Sequence, residues 1–200
     1  MTSCDFKAHR ERKKRETHAQ CVRSPIICAP ETYYAADFQT MLRENRRQNQ
    51  WIFNLIAELH CPGETIHHTN SQWLLARDLH RGTDNRYLVI FKDTALHSIR
   101  DLRAKHIDVL KEVVAFVKQW LLVHEPEQHK KYHLYFHYMP SVFQLHMHVS
   151  MRKSTESYRA QHVHHVLRNL SRLDTWYQDA LILCQYIPTK PRFQDHNKFV

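Results

Sequence analysis

Two imidazoles two residues apart, His146 and His148, are the side chains whose types and spacing best suit joint chemistry in this 200-residue chain. From Phe143 to Val149 apolar and polar residues alternate with period two, the pattern of a half-buried strand. Gln144, His146 and His148 therefore share one face, while Leu145, Met147 and Val149 point toward a core. Such a pair has three readings. A chain with 18 histidines carries surface pairs by chance. Two imidazoles at this spacing also reach one zinc ion, but zinc needs a third ligand and supporting hydrogen bonds, and no HExxH or CxxC supplies one. In the third reading a neutral imidazole attacks phosphorus while neighbouring donors hold the phosphate oxygens.

The flanking residues favour the third reading. His137-Tyr138-Met139-Pro140-Ser141 followed by Gln144-Leu145-His146-Met147-His148 resembles the histidine-triad superfamily, and within it the scavenger mRNA decapping family, where a similar H-Y-x-P-S turn precedes H-x-H-x-H. Three more islands follow that family's order: Trp51-Ile52-Phe53-Asn54-Leu55-Ile56, Arg77-Asp78-Leu79-His80 and Ser98-Ile99-Arg100-Asp101-Leu102. The resemblance covers residues 31–187 and includes no counterpart of the family's amino-terminal dimerisation domain. It implies an α+β histidine-triad fold, an antiparallel sheet with one long helix and flanking helices. It also implies hydrolysis of the triphosphate bridge in methylguanosine cap dinucleotides or short capped RNA fragments, through a phosphohistidine, with no metal or cofactor and in a possible homodimer.

Carried over residue by residue, the resemblance makes His146 the nucleophile and His148 a donor to a phosphate oxygen. Ser141 would donate a hydrogen bond to the phosphate, and His137 would line the same pocket. Gln144 is the departure, since the triad's first histidine should stand there; glutamine keeps hydrogen bonding but cannot be protonated. Trp51 would stack on the cationic methylated guanine, for which an indole face is the best neutral platform. Glu58 or Glu64 would read the guanine edge. Asp78 matches the family's acid, and His80 replaces its lysine, with Arg81 as a substitute cation. Two rivals are a cap-binding regulatory paralogue with little turnover and a general histidine-triad nucleotide hydrolase.

Composition sets the outer bounds. There are 29 Lys and Arg against 20 Asp and Glu, a net charge of +9 that suits an anionic ligand. Residues 1–30 are charged, lack periodicity and read as a flexible leader, within which Lys7 to Arg15 has the composition of a nuclear import signal. Residues 31–187 form the expected domain and 188–200 a tail. Five cysteines, odd in number and without metal spacing, suit reduced thiols in the cytoplasm or nucleus. No stretch is long and apolar enough to be a signal peptide or membrane span.

The elements that must hold the histidines are legible in outline. The 31–59 region is helical in pattern, with Trp51, Ile52, Leu55 and Ile56 as an apolar stripe. Thr65 to His68 and Trp73 to Asp78 read as a first hairpin, and Tyr87 to Phe91 as a fully buried strand. Leu102 to His124 is the longest helical signal, closed by Pro126. His133 to Tyr138 should pair with the His146 strand across the Met139-Pro140-Ser141 connection. Beyond Arg159 the pattern suggests one more helix and a final strand.

Overall fold

The computed structural model of the chain describes residues 26–59, 65–77, 86–127, 131–151 and 159–184. The import-signal motif, Asp78, His80, Arg81, Glu64 and the expected 188–200 tail lie outside the described residues. The architecture is α+β. Six antiparallel strands run in the order β2 (Ile66–Thr69), β3 (Trp73–Arg77), β4 (Arg86–Phe91), β6 (His146–Ser150), β5 (His133–His137) and β7 (Ala160–His162). Between β4 and β5 the chain runs through α4 (Ile107–His124), and the hairpin that follows inserts β6 beside β4.

Helix α4 forms because Leu110, Val113, Val117 and Leu121 recur at three- and four-residue spacing, and all four are fully buried. Each such side chain contributes about 1.5–3 kcal/mol on burial. The stripe therefore holds the helix with no side-chain N-cap bond. It packs with α5 (Val163–Arg172) over one sheet face, against Trp73, Leu75, Val89, Met147, Val149 and Phe136. Alternation along the strands sends the intervening residues to the other face. There Leu74, Ala76, Leu88 and Ile90 receive Ile52 and Leu55 of α3 (Gln50–Ile56). This double cover is why β3 and β4 read as continuous apolar runs. Helix α3 shelters only the β3–β4 half of that face.

Two spans differ from expectation. Ile26–Cys28, within the expected leader, forms β1 and pairs with β8 (Ile182–Cys184) in a separate two-stranded ladder. Beyond Arg159 the expected helix is preceded by β7 and followed by α6 (Trp176–Asp179) before β8. Three-residue strands carry no measurable period, and long-range pairing alone defines them. Helices α1 (Pro30–Tyr34) and α2 (Ala36–Gln48) complete the chain's start.

A fully buried arginine ties the small ladder to the sheet. Arg100 donates from Nη2 to the Cys28 carbonyl (2.8 Å), from Nη1 to the carbonyls of Tyr177 (3.0 Å) and Ala180 (2.6 Å), and from Nε to the Tyr138 hydroxyl (2.9 Å). Tyr138 also exchanges a hydrogen bond with the Cys28 thiol at 3.2 Å. The hydrogen bond from Cys184 leads the effects that pull the Cys28 thiol down to about 6, with Tyr138 and Arg100 adding to it against the opposing push of burial.

Candidate active site

The floor of the site is the β6–β5 half of the second sheet face, beside the half on which α3 packs. His146 on β6 lies across from Ile90 of β4, and His148 lies across from Leu88 on one side and Tyr135 on the other. Both imidazoles therefore share the face that α3 partly covers. Their rings are 5.1 Å apart. His148 stacks on Tyr135 at 5.2 Å with planes 13° apart, and its ring lies 4.2 Å from that of His137.

His146 is oriented by the main chain. Its Nδ1 lies 2.7 Å from the Gln144 carbonyl oxygen. A carbonyl only accepts, so Nδ1 carries the proton and Nε2 the lone pair, the tautomer a nucleophile needs. The expected strand from Phe143 begins only at His146. Before it, Leu145 donates to the Leu96 carbonyl and accepts from the Phe91 amide, which holds the chain extended and turns the preceding carbonyl toward the ring. The Gln144 side chain is fully buried and donates to the carbonyls of Phe91 (2.8 Å) and Asp93 (3.0 Å). Glutamine thus anchors the strand entry, and the bond to the imidazole comes from its backbone.

This arrangement gives an expected outcome for Gln144→His. One neutral imidazole has a single N–H where the amide has two, so one carbonyl loses its donor. We expect stability to fall by about 1–2 kcal/mol and kcat to change by less than about threefold, because the backbone bond that sets the tautomer remains. A large rise in kcat would show instead that the side chain at this position limits turnover.

Residues distant in sequence complete the pocket. His97, Ser98, Ile99, Phe136, His137, Pro140, Gln144, Leu145 and His146 line one concavity. His97 has its Nδ1 3.4 Å from an Asp101 carboxylate oxygen that also accepts the His97 and Ser98 amides. Asn45 of α2 clamps the turn: it donates to the Ser141 carbonyl (2.9 Å) and accepts from the Phe143 amide (3.1 Å). Sequence reasoning passed over both His97 and Asn45. The i,i+4 spacing of His97 and Asp101 was a usable signal; for Asn45, nearly a hundred residues from its partners, there was none.

The remaining candidates fall around this floor. Ser141 is exposed on the turn, and His137 lines the concavity with His146. Trp51 is half-buried on α3, packed on the cluster that includes Leu88 and Ile90, the cross-strand neighbours of His148 and His146. Glu58 lies just beyond α3 with φ +56, a left-handed conformation uncommon outside glycine. Its carboxylate accepts from Lys92 (2.7 Å) and Thr69 (3.0 Å), and the Lys92 hydrogen bond is the first cause holding it below the usual carboxylate range.

The family model described as scavenger mRNA decapping enzyme C-term binding matches residues 50–164, from α3 into the first turn of α5. Among solved structures, the chain is similar to the aprataxin ortholog Hnt3 in complex with DNA, at 15% identity and a TM-score of 0.46 over 67% of this chain and 80% of that one. A second structure, Hnt3 in complex with DNA and guanosine, matches at 13% identity and 0.45 over 67% and 81%. The aprataxin ortholog Hnt3 from Schizosaccharomyces pombe matches at 14% identity and 0.41 over 61% and 72%. No curated protein matches the chain.

Proposed function

Since the chain belongs to the scavenger mRNA decapping enzyme C-terminal family and has the fold of a histidine-triad nucleotide hydrolase, we propose that it hydrolyses the triphosphate bridge of methylguanosine-capped dinucleotides or short capped RNA fragments. The observation that carries this reading is the His146 imidazole, held by the Gln144 carbonyl in the tautomer that leaves its lone pair on Nε2. Nε2 attacks the phosphorus attached to methylguanosine, forming an N–P bond. The bond from that phosphorus to the bridging oxygen breaks, and the leaving diphosphate-ended product takes the electron pair. Water then attacks the phosphohistidine, releases methylguanosine monophosphate and a proton, and restores the imidazole.

The other roles follow from chemistry near this atom. His148 and Ser141 donate to the non-bridging oxygens, and His137 closes the same pocket. Trp51 supplies the face for the cationic base, and Glu58 or Glu64 accepts from its edge. A cap-binding role without turnover is the second reading, favoured by the glutamine at the triad's first position. Incubating the purified protein with labelled cap dinucleotide separates them: methylguanosine monophosphate supports hydrolysis, and tight methyl-dependent binding without product supports the second reading.

Trp51→Ala should weaken methylated-cap binding about tenfold and leave unmethylated analogues unaffected, because only the cationic base gains from the indole. Titration of both ligands into the variant checks this. Equal losses for both, together with a lower Tm, would assign Trp51 to packing alone.

A further inference from the structure

On the side of His146 away from α3, the same sheet face carries a row of rings in edge-on contact. Tyr135 on β5 lies across from His148 on β6 and from His162 on β7. His162 lies 6.2 Å from Tyr135, 6.2 Å from His133 and 6.1 Å from His165 in the first turn of α5. Tyr135 is only 3% exposed, whereas His133, His148 and His162 are half-buried and His165 is exposed. The phenol is thus covered, while the neighbouring imidazoles keep part of their surface exposed.

Three properties say what such a face takes. Burial, then the neighbouring His133, His165 and His164, hold His162 below the usual imidazole range, so at neutral pH it acts through its ring rather than through charge. No acidic residue occurs in 131–151 or 159–172, so a polyanion crossing these elements meets no like charge from them. Arg86, in the cross-strand row that continues through Ser150 to His133, supplies a cation at the margin. Among the described residues no group of three or more His, Cys, Asp or Glu side chains is placed to hold a metal ion.

Stacking rings beside backbone-binding cations are the usual means of holding single-stranded nucleic acid without reading its sequence. Adjacent strands are about 4.8 Å apart, so β7 lies roughly 10 Å beyond β6. Trp51 lies on the opposite flank of His146. We propose that the half-buried rings of His133 and His162 form a stacking subsite for the nucleotides that follow the cap in a capped RNA fragment. The inference rests on the cap-hydrolysis reading above.

The test compares methylated GpppG with the same cap carrying a pentauridine tail, by fluorescence anisotropy competition. In the wild type the tail should tighten binding about tenfold. The His133→Ala/His162→Ala double variant should lose that gain while keeping dinucleotide affinity within about twofold, and His162→Phe, which retains a ring, should keep it. No tail effect in the wild type, or one that survives in the double variant, overturns the subsite. Each alanine change is also made singly, so that either half-buried ring is tested in a protein altered at one position. Unmethylated GpppG with and without the tail isolates the premise: equal affinity for both caps, with the tail gain intact, removes the cap reading and keeps the subsite.

Discussion

Replacing His146 with asparagine is expected to lower cap hydrolysis by at least about 10³-fold while leaving cap-analogue affinity within about threefold. Asparagine suits the test because its amide nitrogen sits near the position of Nδ1 and still donates to the Gln144 carbonyl, so the strand entry keeps its bond. What it lacks is an atom in the place of Nε2. The bond this atom forms exists only along the reaction path, so its loss falls on kcat and spares KM. Single-turnover assays with labelled cap dinucleotide, alongside equilibrium titration, read both quantities. Wild-type turnover by the variant would remove His146 as nucleophile. Equal collapse of binding and turnover would show that the imidazole mainly holds the ground-state phosphate.

Arg100→Ala should cost about 3–5 kcal/mol of stability, because a charged donor serving four acceptors within 3.0 Å is removed from a site with no water-exposed surface. Left behind are the carbonyls of Cys28, Tyr177 and Ala180, which come from both strands' neighbourhoods in the small ladder, and the Tyr138 hydroxyl beside the Met139-Pro140-Ser141 turn. For a domain of this size the loss should lower Tm by about 10 °C. Thermal melts monitored by circular dichroism check it. Arg100→Lys, with a compact ammonium in place of a planar fork, should recover less than half of the loss, since one nitrogen cannot span acceptors on three sides. A fall in Tm of less than about 2 °C for the alanine variant would mean that the β1–β8 ladder holds without the guanidinium.

Local periodicity was enough to identify the β5–β6 hairpin, the apolar stripe of α4 and the common face of His146 and His148. Each follows from a repeat of 2.0 or 3.6 residues acting within one element. The α+β class followed from the order of those elements, and the family islands marked Trp51, Ser98 to Leu102 and the histidines. The island around Arg100 was visible as a motif, but not its task of gathering carbonyls from Cys28 to Ala180.

Three features depended on the tertiary structure. The strand order β4-β6-β5-β7 decides that His162 joins the face of His146, and alternation within a strand cannot state which strand is its neighbour. Asn45 meets the turn at Ser141 and Phe143 across 96 and 98 residues, a contact that no local pattern encodes. The tautomer of His146 is set by a backbone carbonyl, a group every residue carries, so the side chain at position 144 gave no sign of it. Side-chain type and spacing determine which groups are available on a face; chain packing determines which of them meet, because hydrogen bonds and ring contacts act over a few ångströms in space irrespective of their separation along the chain.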